Sequence, residues 1–303
     1  MRKILIFLGT VFAGMIAFLV LMGILVKFAM SGGAMPDTVE QNSILHLKID
    51  GVIMNGHKFL NPLIKYRENP DIKAIVIEVS SPGGVVGPSQ EMYMEIKKTR
   101  EQFKKPIVVV STSLIASGAY YAAAAADKIY VAPGTLIGSI GVIMEFVNLE
   151  KLYDWAKVSR FTITTGKYKD SGAEYRTMRE DERELFQSMI NDVWVQFKEA
   201  IEEGRGLKKD LVEQYSDGRV MTGRQAVELG FADGFATVDE AFDKAAEMAF
   251  LGKDYEIFTP PKERKNFLDL IPAEEEDPYT KAAQKFLQLE LANKPLYLMP
   301  GYF

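Results

Sequence analysis

Residues 106–131, "PIVVVSTSLIASGAYYAAAAADKIYV", decide the fold. The short run of Ile107 and three valines is the pattern of a strand covered on both faces. Ser117 and Gly118 lead into an unbroken series of alanines, a helix able to pack very close to its neighbours. "DKIYV" then reads as the next strand. Strand, helix and strand in this order make a parallel crossover unit, which is right-handed in nearly every known case. The hydroxyl of Ser117 stands at the mouth of the helix. It can cap the helix by accepting from a first-turn N–H, or it can be a nucleophile beside N–H groups that have no helical partner. The chain contains only two histidines, His46 and His57, both upstream. A nucleophilic serine here needs some other base.

The same alternation extends outward. "KAIVIEV" (73–79) is a second doubly covered strand, and residues 91–104 between the two carry a helical pattern with Met92, Ile96 and Phe103 apolar. "SILHLKIDGVI" (43–53) alternates as a half-buried strand that leaves His46 and Lys48 on its solvent side, with His57 in the following loop. Downstream, "GVIMEFVN" and "RFTITTGKYKD" read as strands and "LEKLYDWAKV" as a helix. Residues 180–205 form a long amphipathic helix with Leu185, Val193, Trp194, Phe197 and Ile201 on its apolar face. Two more helices follow, one over 222–230 and one over "TVDEAFDKAAEMAF". The predicted fold class is a layered α/β domain with mainly parallel sheets.

The 303 residues are 48% hydrophobic and 25% charged, with a net charge of −5 and no cysteine. Disulfides, thiolate metal sites and cysteine nucleophiles are therefore excluded, and without a long basic run nothing favours nucleic-acid binding. Residues 4–26 carry no charge. At ~1.5 Å per residue such a helix crosses a ~30 Å hydrocarbon core. It reads as a retained transmembrane anchor, and Arg2 and Lys3 place its N-terminus in the cytoplasm. The expected organisation is a cytoplasmic tip and anchor (1–27), a Gly/Pro-containing tether (28–42), a catalytic domain (43–258) outside the cytoplasm, and a tail (259–303). The tail comprises a charged, proline-rich linker, a short helix and the apolar end "PLYLMPGYF".

Two further motifs carry chemistry. "SSPGG" (80–84) follows a covered strand, and a glycine pair there turns the backbone sharply and aims N–H groups into a cleft. As an ordinary turn it needs no function; as an oxyanion hole each donor contributes ~3–4 kcal/mol. "TTGKYKDSG" (164–172) holds Lys167 and Lys169. Either amine serves as a base if burial lowers its pKa from ~10.4 towards neutrality. Both fall on one face of the expected strand, so spacing does not choose between them.

In their order "SPGG", "ASGAYYAAAAADKIYV", "GTLIGSIGV" and "GKYKDSG", together with "SDGRVMTGRQAVELGFADG", resemble the signal peptide peptidase A family. These are membrane-anchored Ser–Lys proteases with a fold similar to that of Clp protease and crotonase, and the likeness runs from about Asn42 to about Glu247. The resemblance implies Ser117 as nucleophile, Lys169 as general base and Ser139 as the residue that orients the lysine. It implies an oxyanion hole at Gly84 and Gly118, with Gly83 shaping the turn, and neither metal nor cofactor. It also implies remnant signal peptides as substrates, a homo-octamer in which neighbouring subunits complete each site, and residence in a bacterial inner membrane with the catalytic domain periplasmic. Two other functions share features with the sequence: a crotonase-like acyl-CoA enzyme and a non-catalytic membrane scaffold. The apolar tail end is expected to occupy a substrate groove as inhibitor or self-processing substrate, or else to pack on the outer surface or the membrane.

Overall fold

The structure, a computed structural model, describes residues 14–16, 18–23, 38–261 and 295–299. Residues 39–260 and 282–303 belong to one unit, residues 1–38 and 261–281 to another. The described parts of residues 14–23 are helical, with Phe18 and Leu19 exposed. Most of the expected span over 4–26, the linker and the tail helix lie outside the described residues. Among the described residues no helix is long and apolar enough to cross a membrane.

The first half of the main unit runs β1 (Ser43–Asp50), α1 (His57–Tyr66), β2 (Ile72–Ser80), β3 (Gly83–Val85), α2 (Val86–Gln102), β4 (Ile107–Ser111), β5 (Leu114–Ala116) and α3 (Gly118–Ala123). It continues β6 (Lys128–Val131), β7 (Leu136–Gly138), α4 (Glu150–Ala156), α5 (Glu180–Arg205) and α6 (Lys209–Tyr215). Then come β8 (Val220–Thr222), α7 (Gly223–Leu229), β9 (Gly234–Phe235), α8 (Val238–Met248), β10 (Glu256–Phe258) and, in the tail, β11 (Leu296–Leu298). Six strands form one wholly parallel sheet in the order β10-β1-β2-β4-β6-β9. Two smaller sheets, β5-β7-β8 and β11-β3, lie beyond its strand ends.

Successive side chains of a strand point to opposite faces, and here both faces are covered. Ile44, Ala74, Val76, Val108 and Val110 pack under α8, against Ala241, Phe242, Ala245 and Ala246. Leu45, Leu47, Ile75, Ile77 and Val109 belong to the larger core with residues of α1, α2 and α3. That is why β2 and β4 read as unbroken apolar runs. All six residues of α3 are buried, among them Tyr120, whose hydroxyl donates to the Phe231 carbonyl at 2.8 Å.

Several expectations differ. α2 begins at Val86, straight out of the glycine turn. "GVIMEFVN" contributes only a bridge at Ile143. Residues 160–170 form no strand: Phe161 and Ile163 are 83% and 92% exposed, and a strand without a hydrogen-bonded neighbour is not stable. Lys167 and Lys169 therefore sit on a turn. His57 opens α1, in which Leu60, Leu63 and Tyr66 are core. His46 is half-buried: β10 continues the sheet past β1, and the imidazole lies 3.0 Å from Glu78 and edge-on to Phe242.

Tyr120→Phe strips a partner from the buried Phe231 carbonyl. A loss of about 1–3 kcal/mol is expected, read as a lower urea midpoint at unchanged slope; an unchanged midpoint would show that the bond adds nothing.

Candidate active site

The carboxyl ends of the strands converge on Ser117. β5 and β7 pair in parallel with Ala116 opposite Gly138, so Ser117 and Ser139 leave equivalent strand ends side by side. Both have φ near +51°, a region that costs a non-glycine residue about 1–3 kcal/mol. The Ser117 N–H donates to the Gly138 carbonyl at 2.7 Å and the Ser139 N–H to the Arg219 carbonyl at 2.8 Å. This backbone turns the Ser117 side chain away from capping: it makes no cap hydrogen bond, and its buried Oγ has no hydrogen-bond partner among the described residues. Of the two readings of Ser117, the cap is excluded. Ser139 borders a cleft of about 400 Å³ that also touches Ile143, Asn191, Trp194 and Asp217.

The glycine turn abuts this point. Gly83 has φ of +95°, and a Cβ there would lie 2.7 Å from the Gly118 nitrogen and 3.0 Å from the Ala116 carbonyl. A Cβ on Gly84 would lie 2.1 Å from the Ile53 carbonyl, which accepts from Val85 while Ile53 N–H donates to Gly83. Only bare backbone fits between β1's extension and the serine.

The tail lies between this glycine turn and Ile143. β11 lies antiparallel on β3, pairing Leu296 with Val85, Tyr297 with Gly84 and Leu298 with Gly83. On its other edge Leu296 exchanges both backbone hydrogen bonds with Ile143, at 2.9 and 3.0 Å. Val86 N–H donates to Pro295 and Met299 N–H to Pro82. Antiparallel pairs alternate between bonded and non-bonded, so Tyr297–Gly84 is the bonded pair between those two, and the Tyr297 carbonyl meets the Gly84 N–H. That carbonyl oxygen is 2.1 Å from the position of a Gly83 Cβ, on the side where Gly118 N also lies. Leu296 and Tyr297 are fully buried. Sequence reasoning left the tail between a substrate groove and the outer surface or membrane; nothing in "PLYL" alone specifies which strand it joins.

Ser117, Gly118, Ser139, Gly83 and Gly84 are thus brought together, whereas Lys169 stands on an exposed turn. Lys167, also exposed, pairs with Asp181. The turn is held by an ion cage that the sequence did not announce. Glu182, wholly buried at the start of α5, accepts from Arg176 at 2.6 and 2.9 Å and pairs with Arg179 at 2.8 Å. Arg176 also donates to the Asp170 carboxylate and carbonyl, and Arg179 to the Lys167 carbonyl. Lys169 is bracketed by the two anchored residues. The Arg176 hydrogen bond, first of all, holds the Glu182 carboxyl down at about 2.

Backbone donors beside a buried, unpartnered serine hydroxyl, with a peptide strand laid across them, define a site of acyl-transfer type. The comparisons with known proteins agree. The chain belongs to Peptidase family S49, whose model matches residues 99–251. It is 35% identical to a protein of Synechocystis sp. named as a protease, over 72% of this chain and 78% of that one. It is 30% identical to an Enterococcus faecium protein named as signal peptide peptidase SppA, over 68% of this chain and 65% of that one. The chloroplastic serine protease SPPA of Arabidopsis thaliana is 33% identical over 67% of this chain, which spans 30% of that longer protein. The molecule is a serine protease of this family.

Because the folded-state pKa of Glu182 is depressed, its stabilisation is present above the unfolded carboxyl value and fades as pH falls towards 2. Glu182→Gln is expected to speed amide exchange of residues 166–179 by about tenfold or more at neutral pH while β2 and β4 stay protected. Unchanged exchange would mean that the turn is held by other contacts.

Proposed function

We propose that the protein is a membrane-anchored serine endopeptidase in which Ser117 attacks the scissile carbonyl and Lys169 is the general base. The observation that carries this reading is the tail: Tyr297 presents its carbonyl to Gly84 beside an unpartnered Ser117 Oγ. A substrate bound in the same way adds a strand to β3. Its carbonyl carbon faces Ser117, and its oxygen gains negative charge next to the Gly84 and Gly118 N–H groups. The neutral Lys169 amine takes the Ser117 proton, passes it to the leaving amine, and then activates water to release the acyl-enzyme. Ser139 orients the lysine.

The exposed setting of Lys169 fits a site completed by assembly. Trp155, Phe161 and Ile163, from the same excursion, are 80%, 83% and 92% exposed, an apolar surface suited to a second copy of the chain. A homo-octamer with shared sites, as the family resemblance implies, would take Lys169 out of solvent. The uncharged residues 4–26 and the basic residues before them support a single-pass anchor in a bacterial inner membrane, N-terminus inside and catalytic domain periplasmic. Remnant signal peptides and other hydrophobic membrane-derived peptides suit the complete burial of Leu296 and Tyr297. The tail is then a self-inhibitory segment, cut between Tyr297 and Leu298 when it is processed.

A fluorophosphonate probe tests this on the full chain, its Ser117→Ala and Lys169→Ala variants, and a form ending at Pro295. Labelling is expected to vanish in Ser117→Ala, to fall at least about a hundredfold in Lys169→Ala, and to accelerate severalfold without the tail. Persistent labelling of Ser117→Ala, or full labelling of Lys169→Ala, would overturn the Ser–Lys assignment. Unchanged labelling after truncation would overturn the inhibitory tail.

A further inference from the structure

The groove that receives β11 has one deep hole, and its walls are specific. The Tyr297 ring stacks on Tyr121, with centroids 5.1 Å apart and planes at 18°, and tilts against Phe197 at 4.7 Å. Tyr93 braces Tyr121 edge-on at 5.1 Å, and Tyr121 in turn touches Phe197 at 5.0 Å. At the bottom the Tyr297 hydroxyl donates to the backbone carbonyl of Val193, on α5, at 3.0 Å. Burial pushes the Tyr297 phenol upward, so it stays a neutral donor. The neck of the hole is formed where a Cβ on Gly118 would be 3.1 Å from the Tyr297 Cβ. The residue that enters is therefore the one whose carbonyl lies beside Ser117.

We propose that this hole is a tyrosine-reading specificity subsite, so that the enzyme cuts peptides preferentially on the carboxyl side of tyrosine, with Tyr121 and Phe197 gripping the ring and the Val193 carbonyl reading the hydroxyl. The proposal rests on the peptidase reading and narrows it from apolar peptides to one side chain at one position. Phenylalanine fills the same space and loses the hydroxyl bond, which costs about 3- to 10-fold. Leucine also loses the stacked faces and leaves the floor unfilled, for a total of about 10- to 100-fold. A carbonyl that already accepts within a helix can take a second donor, so the reader is moderate in strength and acts without any charged group.

The test uses the full chain carrying Tyr297→Gly, which keeps its own tail out of the hole. The rate constant kcat/KM is measured for Ac-Lys-Pro-Leu-X-Leu-Met-Pro with X as tyrosine, phenylalanine or leucine, and cut positions are read by mass spectrometry. In parallel, the Ser117→Ala, Tyr297→Gly chain is titrated calorimetrically with Ac-Lys-Pro-Leu-Tyr and its phenylalanine and leucine counterparts. Tyrosine leading phenylalanine by about 3- to 10-fold in cleavage and in binding is the expected result. Robust cleavage with phenylalanine or leucine equal to tyrosine overturns the subsite and leaves the peptidase standing. Tighter tyrosine binding without cleavage of any peptide upholds the subsite and overturns the peptidase reading. Equal binding and no cleavage overturns both.

Discussion

The site depends on the absence of two side chains. Gly83 and Gly84 run so close to Ile53 on one side and to Ala116, Gly118 and Tyr297 on the other that a Cβ at either position would fall 2.1 Å from a backbone oxygen. Because the backbone is bare, it can do three things at once. It extends the hydrogen bonding of Ile53, leaves a free edge on which an extended peptide can pair, and keeps a donor pointing at the carbonyl of that peptide. The parallel sheet fixes where this happens. β2 delivers the turn, β5 delivers Ser117, and the parallel pairing of β5 with β7 sets Ser139 beside it.

Those parts of the fold were legible because the signals are local or periodic. Continuous apolar runs in β2 and β4 meant cover on both faces, and cores on both sides of the sheet are what the chain builds. The bounds of α5 follow from its amphipathic spacing, and α7 and α8 fall on the two helices read after it. The resemblance of the glycine and serine motifs pointed to positions that the folded chain brings into one place.

What the sequence concealed depends on partners remote along the chain. "RFTITT" has strand composition, yet no edge is offered to it, so it stays open with Phe161 and Ile163 in solvent. The ring of Arg176, Arg179 and Glu182 looks like ordinary surface charge in sequence; only the burial of Glu182 at the start of α5 makes it a clamp on the turn that carries Lys169. The hole for Tyr297 draws on α2, α3 and α5 together, and no spacing rule links residues so far apart. The tail shows the same division: its apolar character was readable, its register on Gly84 was not.

The proposed mechanism requires Ser117 and a Lys169 to meet across the Gly84–Gly118 donors, although within one chain Lys169 stands in solvent. The most direct measurement is the structure of the full-length, detergent-solubilised assembly after reaction with a fluorophosphonate. The proposed mechanism predicts a phosphoryl group on Ser117 Oγ, its free oxygen on the Gly84 and Gly118 N–H groups, and the Nζ of a Lys169 from a neighbouring chain at about 3 Å from Oγ. A bound adduct with every Lys169 in the assembly remote from every Ser117 would contradict it.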